Sequence, residues 1–364
     1  MKTVMHYWAP GPDGTIDQKI QNWEDGKYRG DLLYGLTHLK KEGFDVIFPN
    51  LTKSRINGSK SWFPNLIDIL KEKRKYDFIY APYSNGLQGL IYLRGLRLFK
   101  KKIIIWQHAP IEKPRGKNFI RRFFYRVYLN GIDKFIFFGE AALSESITSG
   151  IVNKQKTAIL NWGADLVFFN AISKEVKGDE YEDIRFISTG VDNRDFETLT
   201  EAFKGLSVKL DIYFTEKKLF EKYRNVAKNI SVYFIEPNAT LDSSLLSSYF
   251  VAKELAKSSV SVICSKPILS RKLSFGLTSL IEATALGKPV IVTRNKYIPK
   301  NFESNKVGLF VDAGNVTQLR DAVIKMSSDK NFLLQLGNNS KRFAVERCNL
   351  EMFTKELAFL FQEL

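Results

Sequence analysis

The sequence predicts an α/β protein of two Rossmann-like domains, each a parallel sheet covered by helices. Near-continuous apolar runs alternate with helix-periodic stretches, the pattern left by strands buried on both faces. The alternation halts between Ala171 and Asp183, where Ser173-Lys174-Glu175-Val176-Lys177-Gly178-Asp179-Glu180 has the composition of a linker, and then restarts. At 364 residues, the chain also exceeds what one hydrophobic core usually organises. These observations divide it into a first domain over 1–170, a second over 171–345 and a terminal helix over 346–364.

In the first domain, the apolar run Thr3 to Trp8, a periodic helix from Asp31 to Glu42 closed by Gly43, and the run Phe44 to Phe48 form a βαβ unit. Phe78 to Ala81, a helical stretch around Gly86 to Leu98, the strand Lys102 to Trp106, another helix and the strand Lys134 to Phe138 continue it. Ala9 to Gly30 reads as one long loop with Gly11, Gly14, Gly26 and Gly30, a length that is unusual unless the loop has a task. Its glycines match no strict phosphate-loop spacing.

The second domain starts with strand Ile184 to Ser188, helix Phe196 to Leu206, and strands Leu210 to Phe214 and Ser231 to Ile235. Helix Leu245 to Ala256, strand Ser259 to Cys264, helix Thr278 to Leu286 and strand Pro289 to Thr293 follow. From Leu350 to Leu364, the residues Phe353, Leu357, Leu360, Phe361 and Leu364 share one helical stripe that must pack on something.

Hydrophobic residues make up 44% and charged residues 26%, so the chain can bury ordinary cores and should fold throughout. Cys264 and Cys348 form no C-x-x-C pair, and the amino terminus runs directly into polar sequence, which reads as a reducing cytosol without a secretion signal. Nowhere do about 18 consecutive apolar residues occur, so membrane contact would be peripheral. The 55 Lys and Arg against 39 Asp and Glu give a formal charge of +16, enough to attract nucleic acid, anionic lipid or phosphorylated small molecules. Since the basic residues form no recognised nucleic-acid module, nucleic acid is not the expected partner.

Ser274 to Thr293 concentrates the chemistry. Gly276 permits a tight loop, Thr278 or Ser279 can cap a helix, Gly287 stops it, and Val290 onward is a buried strand. A loop feeding a helix amino terminus presents free N–H groups and the positive end of the helix dipole, which together favour a phosphate. Glu282 lies four residues after Thr278 on the same face, where its carboxylate can accept hydrogen bonds from ribose hydroxyls; the alternative is an ordinary surface glutamate.

Residues 276 to 291, Gly-Leu-Thr-Ser-Leu-Ile-Glu-Ala-Thr-Ala-Leu-Gly-Lys-Pro-Val-Ile, resemble the donor-site signature of the retaining GT-B glycosyltransferases, the large bacterial family of lipopolysaccharide and capsule enzymes. Ile187-Ser188-Thr189-Gly190 with Asn193 to Leu199 is similar to the first strand and loop of that family's donor domain. Gly308 to Asn315 resembles its closing strand and turn, and Ile159 to Asp165 its domain junction. The resemblance implies two domains facing across a cleft, a last helix crossing back to the first domain, and transfer of a sugar from a UDP- or GDP-linked donor. The acceptor would be a lipid-linked or polysaccharide precursor, handled at the inner face of the cell membrane.

It also implies a donor grip made of Ser274, Phe275, Gly276, Leu277, Thr278 and Glu282. Many family members carry another glutamate eight positions earlier, where this chain has Ser274, so a catalytically silent partner subunit is the alternative. No Asp-x-Asp triplet is present, which agrees with a donor site that needs neither metal nor cofactor.

Arg194, between a strand end and a helix, is placed to neutralise the donor pyrophosphate or else pairs on the surface with Asp192 or Asp195. Lys266, Arg271 and Lys272 add positive charge near the loop, and Gly30 could approach the donor phosphates. His108 follows the strand ending at Trp106, on the carboxyl edge where open α/β sheets place ligands. It either contacts the transferred sugar or moves a proton, as the family's histidine at a similar location does, or is a structural histidine satisfied by backbone. His38 reads as packing.

Between Lys113 and Leu129, Phe119, Ile120, Phe123, Phe124 and Val127 fall on one helical arc, with Lys117, Arg121, Arg122 and Arg126 on the other. The apolar arc is the core-facing side of a Rossmann helix, or the helix lies on an anionic membrane. Both can hold, with the core taking the aromatics and lipid attracting the charges.

Overall fold

The computed structural model describes residues 1–8, 15–49, 62–114, 116, 118–176, 183–190, 193–235, 243–267 and 276–364. By contact density the chain divides into two units, one of Met1–Trp23, Gly30–Trp162 and Glu351–Leu364, the other of Glu24–Arg29 and Gly163–Leu350. Each holds a six-stranded, wholly parallel sheet.

The elements of the first stretch are β1 (Lys2–His6), α1 (Ile16–Glu24), a 3-10 turn (Gly30–Leu33), α2 (Leu36–Leu39), β2 (Phe44–Ile47), α3 (Trp62–Lys71) and β3 (Phe78–Ala81). Then come α4 (Gln88–Gly95), β4 (Lys102–Trp106), α5 (Phe119–Asn130), β5 (Lys134–Phe137), α6 (Glu140–Thr148) and β6 (Thr157–Ile159). The strand order β2-β1-β3-β4-β5-β6 reverses direction at β1 and β3. Apolar strands pack here against helices around Met5, Ile79, Ile103, Phe135 and Leu90.

Two expectations for this stretch need correction. The loop from Ala9 to Gly30 contains α1, an amphipathic turn pattern that its glycines obscured. The helix expected from Asp31 to Glu42 is broken into the 3-10 turn and α2, because Tyr34 and Gly35 take positive φ. A Cβ on Gly35 would stand 3.0 Å from Leu357 and 3.3 Å from Phe353, so the break lets the last helix approach.

The second stretch runs through α7 (Leu166–Glu175), β7 (Arg185–Ser188), α8 (Phe196–Phe203), β8 (Lys209–Phe214), α9 (Lys217–Tyr223), β9 (Ile230–Phe234), α10 (Ser243–Ala256) and β10 (Val260–Ile263). It ends with α11 (Leu277–Ala285), β11 (Val290–Thr293), α12 (Asn301–Ser304), β12 (Gly308–Val311), α13 (Val316–Ser328) and α14 (Lys330–Arg347). Its order, β12-β11-β10-β7-β8-β9, is that of a Rossmann sheet and turns back between β7 and β10. The core under one face gathers Phe186, Phe203, Phe214, Val262, Ile291 and Val323.

The last helix, α15 (Leu350–Gln362), belongs with the first unit, as its apolar stripe requires. Phe361 packs edge-on against Phe44, Phe78 and Tyr80, and Phe353 lies beside Trp106. The Lys102 ammonium donates to the Leu364 carbonyl and Lys2 to that of Phe361, placing cations at the negative end of the helix.

Candidate functional site

Open α/β sheets bind ligands beyond the carboxyl ends of their strands where the strand order reverses. In the second unit that place lies between β7 and β10. β7 leads into Thr189-Gly190, and the chain returns through Asn193 and Arg194, with Arg194 bridged to Ser265 just past β10. Arg194 is buried, donating from Nε to the Thr189 carbonyl (3.3 Å) and from a terminal nitrogen to the Ser279 hydroxyl (3.1 Å). Of the two surface partners expected, Asp192 lies outside the described residues, and Asp195 instead caps α8, accepting from the N–H and hydroxyl of Thr198.

Gly190 and Gly276 hold this guanidinium between them, each at positive φ. A Cβ on Gly190 would come within 3.0 Å of Arg194, and one on Gly276 within 3.2 Å of Arg194 and 2.6 Å of Ile263. The two glycines keep the backbone close to the charge, where a side chain would push it away. Gly276 is also the N-cap of α11, which has no side-chain cap, so neither Thr278 nor Ser279 plays the capping role expected of it. Ser279 turns to Arg194 instead, leaving the amino terminus of α11 beside a buried cation. Helix dipole and guanidinium thus add at one place, an arrangement suited to an anion.

Glu282 lies further along α11, mostly shielded and ion-paired with Arg29. Arg29 is buried and stacks on Phe169 of α7, its guanidinium 4.8 Å from the ring centroid. Glu282 is thus neither an ordinary surface glutamate nor an isolated buried one. Sequence reasoning missed Arg29, since 253 positions separate the partners and no periodicity links them.

Of the other donor-loop residues, Leu277 is buried and Thr278 half-buried, while Ser274, Phe275, Arg271 and Lys272 lie outside the described residues. Lys266 is exposed, with its N–H bonded to the Asn193 carbonyl at 3.0 Å. Burial pushes the nearby Cys264 thiol up to about 12, leaving it protonated and unreactive.

In the first unit, the carboxyl edge is aromatic. His108 Nε2 lies 2.9 Å from the Pro82 carbonyl, which can only accept, so the proton sits on Nε2 and Nδ1 is left as an acceptor. The ring stacks on Tyr83 at 4.5 Å and is flanked by Phe138 and Tyr34. Burial holds its pKa below the ordinary value, with the Pro82 bond opposing, so the imidazole is neutral at pH 7. Tyr34 also stacks on Trp162, whose indole donates to the Asp31 carbonyl. This cluster had no sequence signal beyond His108 itself, because its members come from five separate connections. Gly30 is buried and opens the 3-10 turn. His38 bonds Thr37 and lies beside Trp23, as packing requires.

The basic helix departs most from expectation. Of its apolar arc only Val127 is buried; Phe119, Ile120, Phe123 and Phe124 are 76%, 51%, 58% and 52% exposed, so the core does not take the aromatics. Arg121, Arg122 and Arg126 are exposed as well, and Lys117 lies outside the described residues.

Comparison with known proteins gives this geometry its class. HepE of Anabaena, whose crystal structure holds UDP and glucose, superposes over 100% of both chains with a TM-score of 0.65 at 13% identity. Sucrose-phosphate synthase of Thermosynechococcus elongatus does so over 100% of this chain and 99% of its own, with a TM-score of 0.66 at 15% identity. The chain has the GT-B fold, two parallel α/β units with a last helix returned to the first.

Residues 249–343, which lie within the second unit, match the family model of the glycosyl transferases group 1. A curated relative, N-acetyl-alpha-D-glucosaminyl L-malate synthase of Bacillus anthracis, is 28% identical over 97 residues, which are 27% of this chain and 25% of the synthase. The match thus spans about a quarter of that relative's length.

Proposed function

We propose that the protein transfers a sugar from a UDP- or GDP-linked donor to an acceptor hydroxyl on a lipid-linked or polysaccharide precursor, with retention of configuration and without a metal ion, at the inner face of the cell membrane. The observation that carries the proposal is Arg194, buried beside the amino terminus of α11 at the point where the second sheet reverses its strand order. Ser188, Thr189 and Ser265 add buried hydroxyls at the same edge, without hydrogen-bond partners among the described residues, as a site awaiting a polar ligand would. HepE, with the same fold, was crystallised with UDP-glucose, and the relative that shares 97 residues with this chain is named N-acetyl-alpha-D-glucosaminyl L-malate synthase.

On this proposal the diphosphate lies against α11 and Arg194, and Glu282 accepts from the ribose hydroxyls while Arg29 holds its carboxylate in place. The bond from the anomeric carbon to the diphosphate oxygen breaks, and its electron pair leaves with the diphosphate. The acceptor oxygen bonds to that carbon and its proton passes to the departing phosphate. Arg194 and the helix dipole stabilise the charge that develops, which favours the transition state over bound substrate. On this reading His108, whose imidazole is neutral and whose Nδ1 can only accept, would accept from a sugar hydroxyl.

Calorimetry with UDP, GDP and ADP, followed by a donor-hydrolysis assay across a panel of nucleotide sugars, tests the proposal. Saturable binding of one nucleoside diphosphate with slow release of the matching sugar is expected; no binding by any nucleotide would sink it. Nucleotide binding with no turnover on any donor or acceptor would favour the silent-subunit alternative that Ser274 raises.

A further inference from the structure

The amino-terminal half of α5 displays the largest cluster of exposed aromatic side chains among the described residues. Phe119, Ile120, Phe123 and Phe124 stand one turn apart in two rows, each more than half exposed. The cost of leaving that much apolar surface in water makes such a patch a contact site in most proteins. Nearby, a Cβ on Gly95 would strike the Val127 carbonyl and one on Gly131 that of Ile91, so α4 and α5 run antiparallel in close contact. That crossing carries the end of α4 toward the exposed half of α5, and there Leu96 and Leu98 are 53% and 73% exposed.

The charges on α5 have one sign: Arg121, Arg122 and Arg126 are exposed, and the helix holds no acid. Arg97 sits between Leu96 and Leu98 at positive φ and, with Lys100, lines an open cavity of about 610 Å³ near Asn130, where Lys156 donates to the Asn130 and Ile132 carbonyls and Arg94 is paired with Asp133. Among the described residues, no acid lines that cavity.

We propose that α5 and the Leu96–Leu98 turn form a monotopic docking surface for an anionic phospholipid bilayer, the aromatic stripe entering the acyl boundary and the cavity receiving a lipid phosphate. This rests on the peripheral placement proposed above and gives it a surface. An apolar stripe edged by cations is the pattern of interfacial helices. A two-fold contact between copies would bring the same cations against each other and is disfavoured.

Sedimentation of the full chain with phosphatidylcholine vesicles, with and without phosphatidylglycerol, tests the proposal without any sugar transfer, so its failure leaves the proposed chemistry standing. Binding to the phosphatidylglycerol vesicles is expected, weakened by salt. A Phe119→Ser/Phe123→Ser variant should lose about a hundredfold in affinity with melting unchanged, since both side chains are exposed. An Arg121→Gln/Arg122→Gln variant should lose the preference for anionic vesicles. Phe123→Trp should shift its emission to the blue when vesicles are added. Failure of the wild type to sediment, equal binding by the serine variant, or dimerisation that the serine variant abolishes without vesicle binding would each overturn it.

Discussion

At the carboxyl edge of the first sheet, the connection after β4 brings His108 onto Tyr83, with Phe138 and Tyr34 beside it. At the matching edge of the second sheet, the connection after β7 brings Arg194 against Gly190, Gly276 and Ser279. The second place lies at its sheet's reversal of strand order, between β7 and β10; the first gathers loops from its reversal at β1 and β3 and from the neighbouring β4 and β5. Their chemistry diverges. The first offers flat rings and one neutral imidazole, surfaces on which a sugar can stack and hydrogen-bond; the second offers a cation, a helix terminus and backbone held close by glycine. On the proposed function, one kind of sheet edge would serve two kinds of ligand contact, with loop residues deciding which.

Removing the cation should have the largest effect. Arg194→Met keeps most of the side-chain volume while deleting the charge, and turnover should fall about a hundredfold or more, with weaker nucleoside diphosphate binding by calorimetry. Unchanged turnover in a variant that melts normally would mean that the second edge does not carry the phosphate.

Next comes the Arg29–Glu282 pair. Arg29→Met leaves a shielded carboxylate without that partner and should destabilise the protein by about 2 to 3 kcal/mol in urea unfolding, and it should raise the donor KM. Coupling near zero in a cycle with Glu282→Gln would show that the two side chains act independently.

The smallest effect should come from the first edge. His108→Asn should lower kcat about tenfold and leave nucleotide affinity intact, separating the two edges by function. Because burial depresses the His108 pKa, the ring is neutral above its ordinary value of 6.5 and remains so some way below it; its contribution to stability is complete above 6.5 and is lost as the pH falls through the depressed value. The wild-type acid limb should therefore lie below pH 6.5 and differ in the asparagine variant. Loss of nucleotide binding in this variant would erase the distinction between the edges.

Much of the fold was legible because strands and helices are written locally. The runs around Ile103 to Trp106 and Val290 to Thr293 announce buried parallel strands, and the stripe on 350–364 announced a helix that needed a partner. Gly276 ahead of an apolar helix announced the loop-to-helix entry, and Arg194 its neighbouring charge. The break at Gly35 was illegible, since Asp31 to Glu42 has helical periodicity and only the approach of Leu357 and Phe353 makes the left-handed turn worthwhile.

α5 shows the same boundary from the other side. Its sequence alone established an amphipathic helix with a basic face, because a period of about 3.6 residues sorts side chains around a cylinder whatever lies outside it. Which face meets the core is set by where neighbouring elements stand, and here the tight crossing of α4 buries Val127 while Phe119, Ile120, Phe123 and Phe124 stay in water. By itself the sequence thus determined the α/β class, most of the strands and the residue types at the sheet edges, all of which follow from short-range periodicity and backbone chemistry, while the helix at Ile16–Glu24 was read as loop and Ala171–Glu175 of α7 as linker. Tertiary structure decided the Arg29–Glu282 pair, the aromatic cluster at His108 and the exposure of α5, because each depends on distances between residues far apart in the chain.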